Sequence, residues 1–316
     1  MRMRTAIAVT FLIWCAGRVR AQQAAVVGAG FVSPIPIPAA PGEILAIYLT
    51  GIGNGLTQPV TATSIPLPYT LAGISITMTQ AAGGMSTPVP LLAVFPVPTC
   101  TTMQTSGCSQ FTGITLQIPY ELIPNSPFVG RPPSNAQLVV TQGGQTATVE
   151  LDPEFDSVHI LRTGDSITQP GNSGGNYFFE GPIVTHLDGT IVRQGNVATP
   201  GETLVMYAVG LGPTTPIAKT GSKSVAVSTS GTIAIGFDYQ ASPGTSLPLK
   251  ETPLFAGLTP GFVGLYQINF VVPTVPATLP LCSPGGPASN LTIVLSGFSS
   301  RDVAGICVQP PAGPVQ

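Results

Sequence analysis

Gly171-Asn172-Ser173-Gly174-Gly175 is the sharpest chemical motif in the chain. The pattern G-[DN]-S-G-G surrounds the nucleophilic serine in one class of protease. That chemistry needs a histidine base within hydrogen-bonding reach of the serine and a carboxylate to orient the base. Only two histidines exist, His159 and His186, both close to Ser173 in sequence, and no upstream histidine segment is present. The motif therefore reads as a polar turn. His186-Leu187-Asp188-Gly189 offers half of a dyad, but Asp188-Gly189 between Ile183-Val184 and Ile191-Val192 has the form of a hairpin turn, with Gly supplying the positive φ. His159, among Val158, Ile160 and Leu161, reads as a strand residue.

Carboxylates give two further candidates. Asp152, Glu154 and Asp156 alternate, so an extended segment would project all three from one face as a weak calcium site of hard oxygen ligands. Pro153 and the lack of a glycine-bearing loop favour a solvated acidic face instead, and no cofactor is expected. Glu43, Glu121 and Glu202 could supply a glycosidase pair, but Glu43 and Glu202 each follow a Pro-Gly turn, where one structural role explains both. Exposed rings are the resource of sugar-binding surfaces. Tyr177, Phe178 and Phe179 lie together, and Tyr177 and Phe179 would share one face of a strand as a possible ligand-binding pair. Core packing is the rival reading for these rings and for Phe262 and Tyr266. Asn290-Leu291-Thr292 is formally a glycosylation sequon.

The elements that must carry these residues are strands. Tyr266, Ile268, Phe270 and Val272 alternate with Gln267 and Asn269, and Ile114, Leu116 and Ile118 alternate with Thr115 and Gln117. Leu291, Ile293 and Leu295 repeat that pattern. Period 2 is the mark of half-buried strands. Ile44 to Leu49 and Leu204 to Val209 are continuous apolar runs, suited to strands covered on both faces. The chain holds 37 glycines and 34 prolines, and these punctuate the runs as the turns of an all-β sandwich do.

An internal echo organises the whole. PGEILAIYLTGIG (41–53) returns as PGETLVMYAVGLG (200–212), and GITLQIP (113–119) answers QINFVVP (267–273). The offsets, 159 and 154 residues, are half the chain, which points to duplicated domains rather than a solenoid of ~20–50-residue units. The expected layout is a signal peptide at 1–21, one β-sandwich at 22–155 and a second at 156–316.

Arg2 and Arg4 precede an apolar stretch from Thr5 to Gly17, and Val19-Arg20-Ala21 offers a cleavage site after Ala21. That stretch is shorter than the ~20 residues of a membrane span, so no transmembrane segment is expected after cleavage. Loss of Arg2, Arg4, Arg18 and Arg20 takes the eleven basic residues to seven against thirteen acidic ones, a formal charge of −6. Nucleic-acid binders concentrate basic residues, so nucleic acid is excluded as a partner. Four cysteines would remain: Cys100, Cys108, Cys282 and Cys307. An even number in an exported chain reads as disulfides. Of three connectivities, Cys100–Cys108 with Cys282–Cys307 keeps each bridge within one repeat. Charged residues are only 8% of the chain, against ~25% in ordinary soluble domains.

FAGLTPGFVGLYQINFVVP (255–273), preceded by THLDGTIVRQGNVATPGETLVMYAVGLG (185–212), resembles a family of repeat domains in secreted acidobacterial proteins. A diverged copy spans about 26–151, keeping VVGAGFVSPIPIPAAPGEILAIYLTGIG (26–53) and IPYEL (118–122) but lacking a counterpart of PGFVGLYQ. The resemblance implies two tandem immunoglobulin-like sandwiches, exported and displayed at the surface, with no catalytic residue to transfer. The function expected is a non-enzymatic structural, adhesive or protein-interaction role at the cell surface or outside the cell, toward a protein or glycan. A carbohydrate-binding module is the alternative, and a hydrolase ranks third.

Overall fold

The computed structural model describes residues 26–28, 31–33, 36–53, 55–81, 84–98, 110–125, 135–165, 181–241, 250–283 and 288–310. Over these residues the protein is all-β, without a helix. The strands of the first half are β1 (Val26–Gly28), β2 (Phe31–Ser33), β3 (Ile37–Ala39), β4 (Ile44–Leu49), β5 (Val60–Thr61), β6 (Thr70–Leu71), β7 (Ile74–Gln80), β8 (Met85–Pro88), β9 (Leu91–Pro98), β10 (Gln110–Gln117), β11 (Ala136–Gln142) and β12 (Gln145–Pro153). Those of the second half are β13 (His159–Ile160), β14 (Val184–Thr185), β15 (Thr203–Val209), β16 (Thr214–Thr215), β17 (Ser228–Thr229), β18 (Ala234–Asp238), β19 (Lys250–Glu251), β20 (Phe255–Leu258), β21 (Tyr266–Val271), β22 (Leu291–Ser296) and β23 (Arg301–Ile306).

In the first half the sheet β4-β10-β9-β5 packs on the sheet β3-β12-β11-β7-β6, with β8 also on β7. Alternate residues of both sheets, Leu45, Ile47 and Leu49 with Ile76, Met78, Leu138 and Val149 among them, close one core. The second half repeats the arrangement with β15-β21-β20-β17 and β23-β22-β18-β19, around Leu204, Met206, Ile268, Phe270, Ile293 and Ile306. Each buried Leu or Ile contributes about 1.5–3 kcal/mol. Register follows the sequence echo: Ile44 opposite Gln117 and Leu45 opposite Leu116 correspond to Thr203 opposite Val271 and Leu204 opposite Phe270. The parallel contact of Ala39 with Pro153 recurs as that of Ala198 with Val308.

The two continuous apolar runs fare differently. β4 is buried on both faces beyond Ile44, as its composition predicts. β15 instead alternates between buried and half-buried positions up to Ala208, because only its inner face meets a core. Thr115 and Gln117 do point away from the first core, yet both are buried. The second half covers that face of the sheet.

No free linker separates the halves. β12 ends at Pro153 and β13 starts at His159. Between them Glu154 N donates to Ala39 O (2.9 Å) and Ser157 N to Gly210 O (2.8 Å). Gly210 has φ +74° and faces the Ser157 carbonyl so closely that a side chain has no room.

Candidate functional site

The outer face of β4 and β10 carries a hydrogen-bonded joint to the second half. Gly221 N donates to Gln117 Oε1 (2.7 Å), and Gly221 O accepts from Leu67 N (2.8 Å). Tyr120 N donates to Thr220 Oγ1 (3.0 Å), whose hydroxyl donates to Glu121 Oε2 (2.8 Å). Tyr120 belongs to the first half by sequence, but its ring is part of the second core. Gly264, at φ +62°, approaches so closely that an added Cβ would sit 2.8 Å from Gly42 O and from Ile44 Cδ1.

Beside this joint lies a cavity of about 510 Å³, within the ~300–1,000 Å³ range of small-molecule sites. Ile44, Ala46, Ile65, Leu67, Leu92 and Thr115 line it from the first half; Leu161, Ile183, Val209 and the loop Gly261–Leu265 line it from the second. Asp165 and Lys223 are its charged members. The PGFVGLYQ segment that lacks a counterpart in the first copy is thus the loop that docks one half on the other and walls the cavity. Phe262 stands exposed on it, whereas Tyr266 is fully buried, its hydroxyl donating to Gly212 O.

The buried ionisable groups tie elements together. Glu43 Oε2 accepts from Ala40 N (2.8 Å) and a second bond comes from the Ser157 hydroxyl. Burial pushes the Glu43 carboxyl up to about 8, against the lowering influence of those bonds and of His159. Glu202 closes the equivalent Pro-Gly turn by accepting from Thr199 N (3.0 Å), and it meets His186 Nδ1. Burial tends to lower His186, but Glu202 holds it above its ordinary value. His159 lies between Asp165 Oδ2 (2.9 Å) and Asp302 Oδ2 (3.3 Å), and Arg162 Nη2 adds a contact to Asp302 Oδ1 (3.3 Å). Burial opposes a charge on His159; hydrogen bonds and charge from the two carboxylates outweigh it and raise its pKa.

Tyr177, Phe179, Cys100, Cys108 and Ser173 lie outside the described residues. Cys282 and Cys307 are at bonding distance with Cα atoms 5.9 Å apart. Asp188-Gly189 does form the hairpin turn, with Gly189 at φ +84° and Thr190 N donating to Asp188 Oδ1 (2.9 Å). Asn290 is fully buried; its Nδ2 donates to Pro280 O and Val308 O and its Oδ1 accepts from Val308 N.

Asp156 does not share a solvated face with Asp152 and Glu154. Regular strand ends at Pro153, the alternation stops, and Asp156 turns inward to 1% exposure. Its carboxylate accepts from Phe298 N, Ser299 N (3.0 Å), Ser300 N (2.8 Å) and Ser300 Oγ (2.7 Å). Among the described residues no group of three His, Cys, Asp or Glu side chains could hold a metal ion. Asp156→Ala is expected to cost roughly 2–4 kcal/mol, because hydrogen bonds to charged groups contribute ~1.5–3 kcal/mol each and their donors would be left partly unmet. Urea denaturation checks it; an unchanged midpoint would contradict this staple.

No family model matches the chain, and no curated protein matches it.

Sequence reasoning placed neither the joint nor the cavity. Gln117 reads as an outward polar position of a half-buried strand, and Tyr120 stands only within the IPYEL segment of the resemblance. The only trace of their role was the asymmetry of the repeat, with PGFVGLYQ present in one copy alone.

Proposed function

We propose that this is a non-enzymatic exported protein of two tandem immunoglobulin-like β-sandwich domains, at about 22–155 and 156–316, which arose by duplication. It acts by binding, in a structural, adhesive or protein-interaction role at the cell surface or outside the cell. The observation that supports this reading best is the cleft. Its wall is almost wholly apolar, whereas Glu43, Asp156, His159 and Glu202 are engaged in holding strands and turns together. The shared strand order and register of the halves support the duplication, and the resemblance to secreted acidobacterial repeat domains supports export.

Cell fractionation tests the reading. The chain is expected outside the cytoplasm, processed to begin at Gln22. A full-length chain confined to the cytoplasm would refute export, and hydrolytic turnover lost in Ser173→Ala or His186→Ala with folding intact would refute the non-enzymatic part. Binding on a glycan array that disappears on changing Tyr177 and Phe179 to alanine would replace it with the carbohydrate-binding alternative.

A further inference from the structure

We propose that the cavity between the halves binds an amphiphile with one apolar chain and an anionic head group, the chain lying against Ile44, Ala46 and Leu265 and the head meeting Lys223. This deepens the reading of the cleft as a binding surface and depends on it. The volume and apolar wall suit a hydrocarbon chain rather than a sugar, whose hydroxyls would find few partners there. A half-open apolar hollow lined from both halves also differs from a flat patch that a folded partner would cover.

The head group follows from the two charges at the wall. Asp165 Oδ2 is occupied by His159 Nε2 (2.9 Å) and by Arg162 N (2.8 Å). Lys223 is exposed, and no ion pair within 4 Å holds it among the described residues. Its place at the rim is set by the residue that follows it: Ser224 N donates to Phe262 O (2.9 Å) and Gly261 N donates to Ser224 O (2.9 Å). Only 11 basic residues exist in 316, so a cation at the mouth of this apolar hollow is not a generic feature of the surface. Phe262 and Ile65, 55% and 42% exposed, extend the apolar wall outward, where a chain too long for the hollow would continue.

Calorimetric titration of the full chain with sub-micellar laurate, and with dodecanol as the uncharged control, tests this. Saturable laurate binding is expected, about tenfold tighter than dodecanol, a ratio equivalent to ~1.4 kcal/mol. Lys223→Gln, a surface change, should bring the two ligands to equal affinity. Val263→Trp, which fills the hollow from its rim loop, should abolish both. Absence of saturable binding, a laurate preference that survives Lys223→Gln, or binding that survives Val263→Trp in the folded variant would overturn the proposal. So would a concentration-dependent dimer lost on Phe262→Ser, which would make a second copy the occupant. These outcomes concern the purified chain, whereas export stands or falls on fractionation, so failure of one is distinguishable from failure of the other.

Discussion

Glu43→Gln stabilises the protein above pH 8, by up to about 5 kcal/mol, and changes it little near pH 4. The cause is the fully buried carboxyl, whose folded pKa of about 8 stands against 4.5 for an ordinary glutamate. Each pH unit across which the folded state holds a proton that the unfolded state releases costs ~1.4 kcal/mol. A raised pKa contributes stability in full below about 4.5, loses it progressively as pH rises, and has lost it entirely above about 8. Glutamine stays neutral throughout, and its carbonyl oxygen can still accept from Ala40 N. Urea midpoints at pH 4, 6 and 8.5 measure the difference. A variant less stable than the parent at pH 8.5 would show that Glu43 folds as a carboxylate.

His159 adds to the same slope. Its pKa is raised by Asp165 and Asp302 in spite of burial, so its contribution is present below about 6.5 and fades as pH rises through the folded value. Asp302 and Glu202 are lowered, both against the effect of burial: Asp302 by His159 and Arg162, and Glu202 by His186 and Thr199. Their contributions are lost when acid protonates them, below ordinary carboxylate values. The parent chain is therefore expected to be most stable in mildly acidic solution and to weaken toward alkaline pH. The Glu43→Gln variant should lose most of that alkaline weakening.

Much of this was legible in residue types. Period-2 alternation gives β10, β21 and β22 their core-facing residues, although only β21 is half-buried and both faces of β10 and β22 are covered. Pro-Gly-Glu gives the matched turns at Glu43 and Glu202, where the glutamate reaches back to the N–H three residues before it. Asp188-Gly189 gives a hairpin by the same local logic. Contacts set by docking were not legible. His186 finds Glu202 sixteen residues on, and Gln117 finds Gly221 across the joint. Nothing in either local pattern selects these partners. Asp156 was misread for a different reason: alternation was carried past the residue where the strand stops, and beyond Pro153 the backbone no longer sends successive side chains to opposite faces. β15 was misread because an apolar run fixes only that burial is favourable, whereas the number of covered faces depends on what packs there.

Tyr120→Ala is expected to cost about 3–5 kcal/mol, the usual range for removing a large buried ring, and to divide one cooperative unfolding transition into two. The ring is 5% exposed and sits among residues of the second core, although its chain neighbours Ile118 and Leu122 serve the first. Its removal therefore leaves a hollow in one half and frees the other half from it. Gly42 marks the closeness of this fit, since a Cβ there would overlap the Tyr120 ring. The hydroxyl is a separate matter: it is buried against the Tyr266 hydroxyl, which interacts with it and itself donates to Gly212 O. Tyr120→Phe keeps the ring and removes only the hydroxyl's interaction with Tyr266, so it should cost no more than ~1.5 kcal/mol and leave a single transition. Gly264→Val attacks the same joint from the other side, forcing a β-branched residue into φ +62° against the Gly42 carbonyl. It should decouple the halves while leaving both cores filled. Calorimetry of the three variants separates a mechanical joint from a local packing defect. If Tyr120→Ala and Gly264→Val both unfold in a single transition, the halves are coupled by something other than this contact.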